Sequence, residues 1–171
     1  KRNLFLLFVL ASWMVSAQYH VETHDGDPIV EGQTVAFGNF GYGNAELPFY
    51  VFNDASEQIN MKIEFVSASN NDGSQFELCF GLCYTGLTIG WSYPPGSQVV
   101  TIEPGEHQPS SGDHFLNLSD GGGSAIDYVF RFYQVDANGD EIGEDLTFTY
   151  RYDPNLAINE NTAVKAQLAS T

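Results

Sequence analysis

Several groups of side chains in this sequence are of types and spacings that do chemistry. In Asp136-Ala137-Asn138-Gly139-Asp140-Glu141 the oxygen donors Asp136, Asn138 and Asp140 alternate as at the start of an EF-hand calcium loop. The sixth position of such a loop is glycine. Here it is Glu141, and no helical pattern flanks the segment. Asn138-Gly139 equally suits a tight hairpin turn with positive φ. The expectation is a hairpin tip with no cofactor. Weak surface calcium is the alternative, kept open by Glu144 and Asp145 nearby. Cys79 and Cys83 enclose Phe80-Gly81-Leu82. In an exported chain the default is a disulfide, with free thiols as the alternative. The spacing is one residue too long for the redox Cys-x-x-Cys motif, and two thiols alone do not fill a four-ligand zinc site.

Tyr84, Trp91 and Tyr93 surround the segment after the cysteines. Exposed together in one plane they would stack on a sugar ring; otherwise Trp91 caps the core and the tyrosines line its rim. His107 and His114 flank a loop with Ser110, Ser111 and Asp113, superficially a base, nucleophile and acid. No Gly-x-Ser-x-Gly turn frames either serine, so a hydrolase is not expected. His20 and His24 lie beside Asp25 and Asp27, near the expected mature amino terminus, where a flexible end makes a poor metal site.

The elements that must hold these groups read as strands. Ile59, Met61, Ile63 and Phe65 alternate with Asn60, Lys62 and Glu64, the period of a strand with one face buried. Ile126, Tyr128, Phe130 and Phe132 repeat this pattern, as do Phe148, Tyr150 and Tyr152. Weaker strand signals cover residues 34–40, 49–52, 75–80, 99–102 and 115–118. Turn residues separate them at Asp72-Gly73, Pro94-Pro95-Gly96, Pro104-Gly105 and Gly121-Gly122-Gly123. About eight short strands with no helical period predict an all-β antiparallel sandwich, with a closed barrel as the alternative. The 13 Phe and 9 Tyr suit such a core.

The chain ends and the charge bound the setting. Lys1 and Arg2 precede a run at residues 4–15 that is apolar except for Ser12, and Val15-Ser16-Ala17 supplies small residues for cleavage before Gln18. This is the pattern of a secretory signal peptide, too short for a transmembrane anchor. It implies the Sec export machinery and signal peptidase as partners. Residues 1–17 are thus expected to be removed, 18–153 to form the sandwich, and 154–171 to be a polar linker or tail. The formal charge is −16, and beyond the signal segment only Lys62, Arg131, Arg151 and Lys165 are cationic. Such a balance repels nucleic acid and anionic lipid.

Five pieces, in order along the chain, carry a family resemblance. They are Tyr50-Val51-Phe52-Asn53-Asp54 leading into residues 59–65; Glu77-Leu78-Cys79-Phe80-Gly81-Leu82-Cys83-Tyr84; Val100-Thr101-Ile102-Glu103-Pro104-Gly105-Glu106; Gly112-Asp113-His114-Phe115; and Gly122-Gly123-Ser124-Ala125-Ile126-Asp127-Tyr128-Val129-Phe130. Together they resemble the immunoglobulin-like β-sandwich of secreted Bacteroidota proteins that carry a type IX secretion sorting domain. The resemblance implies a noncatalytic extracellular or cell-surface domain for interaction, spacing or adhesion. It also implies a sorting domain beyond Thr171, read by the outer-membrane type IX machinery, and hence that the sequence is a fragment. Without that domain the expected location is the periplasm. A carbohydrate-binding module using the loop aromatics is the alternative function, so the expected ligand is a protein or a glycan.

Overall fold

The computed structural model describes residues 18–156; the expected signal peptide and residues 157–171 of the expected tail lie outside the described residues. Twelve strands form among the described residues, rather than about eight. They are β1 (Tyr19–Thr23), β2 (Pro28–Ile29), β3 (Thr34–Phe37), β4 (Glu46–Asn53), β5 (Ile59–Ser69), β6 (Phe76–Phe80), β7 (Leu82–Thr85), β8 (Trp91–Tyr93), β9 (Val100–Ile102), β10 (His114–Asn117), β11 (Ile126–Val135) and β12 (Glu141–Tyr152). The strands not expected are β1, β2, β7 and β8, all short. No helix among the described residues is long and apolar enough to cross a membrane.

Two sheets stack face to face. The first runs β2-β1-β4-β10-β6-β7 and the second β3-β12-β11-β5-β8, with β9 also pairing to β5. The inner orders β1-β4-β10-β6 and β5-β11-β12 are those of strands ABED and CFG in the immunoglobulin sandwich. The segment β7-β8-β9 is inserted between the fourth and fifth strands of that plan. One pairing departs from the expected antiparallel pattern: β3 runs parallel to β12, with Val35 opposite Tyr150.

The strongest alternations in the sequence build the second sheet, because β5, β11 and β12 each give one face to the core. Phe65, Tyr128, Phe130, Phe148 and Tyr150 are fully or almost fully buried there, opposite Phe49, Phe76 and Phe115 of the first sheet. Rings meet across the gap: Phe76 lies 4.4 Å from Tyr128, Phe115 4.7 Å from Phe130, and Phe49 meets Phe132 edge-on at 5.5 Å. Offset and edge-on pairs add packing energy beyond the area they bury. Buried hydroxyls find partners, as burial requires. Tyr128 donates to Asn117 Oδ1 at 2.8 Å, and Tyr19 donates to the Phe132 carbonyl at 2.9 Å, tying β1 to the opposite sheet. After β12 the chain makes one turn, in which Leu156 N donates to the Asp153 carbonyl.

Candidate functional site

Lys62 begins the site. It lies on the outward side of β5, between the core residues Met61 and Ile63, yet the residue is only 7% exposed. The β8–β9 connection folds over its stem, and Nζ donates to the carbonyls of Gly96 and Gln98 at 2.7 and 3.2 Å. Burial lowers its pKa below the usual lysine range. No carboxylate among the described residues pairs with it, whereas Arg131 holds Glu64, Glu141 and Asp145, and Arg151 holds Asp127.

Tyr133 lies opposite Lys62 across the β5–β11 ladder. Its hydroxyl donates to Ser92 Oγ of β8 at 2.7 Å, and the Arg131 guanidinium sits 4.7 Å from its ring centre. A register shift between Phe132 and Gln134 separates this part of β11 from its regular pairing with β12. Trp91 forms the rim of a groove with Lys62, Tyr133 and Pro95, and 58% of Trp91 is exposed. The groove continues past Gly96 to Asp136, Asn138 and Gly139 at the β11–β12 tip. The structure thus joins two features that lie far apart in the sequence, the loop aromatic and the acidic tip, through a lysine that sequence reasoning placed on a wet face.

The coplanar arrangement of Tyr84, Trp91 and Tyr93 that sugar stacking needs does not form. Tyr93 is 6% exposed and packs in the core, with its hydroxyl accepting from Thr88 N at 2.9 Å. Tyr84 lies 5.1 Å from the Tyr93 ring at an interplanar angle of 49°, and burial raises its pKa. Trp91 does not cap the core either. It pairs with Phe65 at an edge strand, beyond which no further strand covers it.

At the tip, Asp136 Oδ1 accepts from the backbone N–H groups of Asn138 and Asp140 at 2.8 and 2.9 Å, and Oδ2 accepts from Asn138 Nδ2 at 3.1 Å. The bonds from the two N–H groups hold this carboxyl below the usual carboxylate range. The alternation of Asp136, Asn138 and Asp140 therefore has a local use in closing the turn.

Cys79 and Cys83 are joined in a disulfide across the β6–β7 hairpin. Gly81 turns the hairpin at φ 72° and donates its N–H to Asp113 Oδ1 at 3.0 Å. Asp113 is 1% exposed, and burial raises its pKa. The nearby histidines do not assemble with the serines. His107 Nδ1 lies 2.6 Å from the Gln108 carbonyl, and His114 turns towards Glu77 and Glu46. His20 and His24 are not on a loose end. His20 belongs to β1 and stacks on Phe52, and His24 follows that strand and stacks on Tyr50.

No family model matches the chain, and no curated protein shows significant similarity to it. Among solved structures, the N-terminal domain of PorA aligns over 80% of this chain and 98% of that one, at 18% identity and a TM-score of 0.48. That likeness is too slight to carry function across. The assignment as a β-sandwich of immunoglobulin strand order stands on the pairing described above.

Proposed function

We propose that this chain is a noncatalytic, exported β-sandwich domain that binds its partner in the groove between Trp91 and the β11–β12 tip. One observation carries the reading: an exposed tryptophan lines one groove with a cation that has no carboxylate partner among the described residues, in a chain of charge −16. A large exposed aromatic beside polar donors is the composition of a binding hot spot. The signal-peptide pattern and the disulfide support a setting outside the cytoplasm. The resemblance supports a cell-surface location reached by type IX secretion, which protease accessibility on intact cells would test.

A glycan is the second reading of the ligand. Trp91 favours it, since a flat ring stacks on a sugar face while Lys62, Ser92 and Asn60 offer hydrogen bonds along the groove. Glycan and protein arrays probed with the wild-type domain and with Trp91→Ala test both readings. The expected result is that Trp91→Ala weakens the captured ligand about tenfold, the loss of one good aromatic contact. Unchanged binding by Trp91→Ala would place the site elsewhere.

A further inference from the structure

Strand β7 is a free edge of the first sheet, and its backbone points outwards at Cys83 and Thr85. Gly86 N donates to the Phe76 carbonyl, and the β6–β7 register runs on through Glu77–Thr85, Leu78–Tyr84, Cys79–Cys83 and Phe80–Leu82. Antiparallel pairs alternate between bonded and non-bonded. Phe76–Gly86 is bonded, so Leu78–Tyr84 is the next bonded pair, and Cys83 and Thr85 turn their N–H and C=O groups away from β6. Both residues are exposed, and no strand lies beyond them among the described residues. An edge of this kind is a template for pairing with another chain. Proline guards two other edges: Pro28 opens the short β2, and Pro94-Pro95 follows β8. Leu82-Cys83-Tyr84-Thr85 holds neither proline nor a charged residue.

The Cys79–Cys83 disulfide clamps β7 to β6, so the edge is held as a strand before any partner arrives. Side chains alternate along a strand, so Leu82 and Tyr84 share the face opposite to that of Cys83 and Thr85. On that face Phe80, Leu82, Tyr84, Pro94, Val99 and Val100 line a groove between β7 and the β8–β9 connection. Leu82 is 64% exposed at this apolar groove. Charge then selects the occupant. The chain carries −16, and Glu77 stands opposite Thr85 on the other face. A second copy would bring the same charge to the edge and be repelled, whereas a basic segment is attracted.

We propose that the edge of β7 accepts one added β-strand, an extended basic segment of a partner protein. Its backbone bonds to Cys83 and Thr85, in the antiparallel sense of every pair in this sheet. Apolar side chains at every second position enter the groove beside Leu82 and Tyr84. The lysine or arginine side chains between them lie on the Glu77 side. Main-chain bonds give such a complex its affinity, and the alternate side chains give it selectivity. This groove shares the β8–β9 connection with the one described above but uses neither Trp91 nor Lys62.

The test titrates the full oxidised chain into a fluorescein-labelled peptide of alternating valine and lysine, about eight residues long, and reads fluorescence anisotropy. In the antiparallel sense the lysines lie opposite Cys83 and Thr85, so their N–H groups make the bonds. A peptide N-methylated at the lysines keeps its charge and apolar side chains but cannot donate those bonds, and it should bind at least about tenfold more weakly. Glutamate in place of lysine should cost about tenfold or more as well. Leu82→Lys in the protein changes an exposed side chain, so the fold should persist while binding falls about tenfold. In the complex, amide exchange should slow at Cys83 and Thr85. Equal binding by the plain and N-methylated peptides would overturn the proposal, as would no binding of the plain one. So would protection at β2 or β3 in place of β7. Concentration-dependent dimers that bury β7 would also overturn it, since the occupant would then be a second copy.

Discussion

The two outer faces of the sandwich hold different basic side chains. Every described arginine and lysine lies on the second sheet: Lys62 on β5, Arg131 on β11 and Arg151 on β12. All four histidines gather on the first sheet, where His20, His24 and His107 pack against Tyr50 and Phe52 and His114 lies between Glu46 and Glu77. The arginines of the second face stay charged at any physiological pH, so their ion pairs are permanent. The first face holds its rings by packing on aromatic neighbours, with His114 set between carboxylates. Permanent pairs suit a surface that must keep one shape, such as the wall of a groove.

The sharpest way to break this contrast is to remove Arg131. Its guanidinium gathers Glu64 from the neighbouring strand and Glu141 and Asp145 from β12, and these bonds, led by that to Glu141, raise its pKa further above its ordinary value. Without it three carboxylates face one another. Glu141 and Asp145 are each 47% exposed in their side chains, so solvent screens part of the effect. Arg131→Met should cost about 2–3 kcal/mol in urea denaturation, with salt recovering part of the loss. No change would mean that the hub is ornamental and that the second face is not electrostatically fixed.

The covalent link on the opposite face should matter less. The disulfide closes a loop of only a few residues, for which chain entropy gives no more than about 2 kcal/mol. Cys79→Ser/Cys83→Ser should therefore fold, with a lower urea midpoint and an unchanged slope. A larger loss would show that the hairpin, through the bond from Gly81 N to Asp113, anchors the first sheet.

Where a strand packs on the core, its sequence says so. Alternation placed β5, β11 and β12 because one side of each meets the opposite sheet. The edge strands β2, β7 and β8 escaped that reading, as did β1 beside β2. β7 has no neighbour beyond it and is exposed along most of its length, so burial leaves no alternating pattern in Leu82-Cys83-Tyr84-Thr85. Tyr19 and Val21 do alternate with His20 and Glu22, but the expectation of a loose new terminus obscured β1. The groove was legible only in part. Trp91 stood out by type, whereas Lys62 reads as a solvated lysine until the β8–β9 connection is seen to cover it. Tyr93 lies two residues from Trp91 and faces the same way. It is buried because it pairs with Ile63, deeper in the sheet than Phe65, the partner of Trp91.

The smallest effect should be the most discriminating, since it predicts opposite signs on the two faces. Arg151 holds Asp127 through its Nε and terminal nitrogen, and these bonds keep the Asp127 carboxyl below the usual carboxylate range. A depressed folded pKa contributes stability above the unfolded pKa of about 3.9 and loses it as the pH falls through the folded value. Asp127→Asn removes that contribution, so its stability relative to wild type should decline as pH rises from 3 to 6. Asp113, directly before β10 of the first sheet, is the reverse case. Burial raises its carboxyl pKa, so its contribution is full below the unfolded value and fades as pH rises through the folded one. Asp113→Asn keeps an acceptor for Gly81 N and stays neutral, so its stability relative to wild type should increase over the same range. Urea midpoints measured every half unit of pH for both variants resolve the two slopes. If both slopes have the same sign, the local environments of these two carboxyls do not govern the acid limb of stability, and the global charge of −16 does.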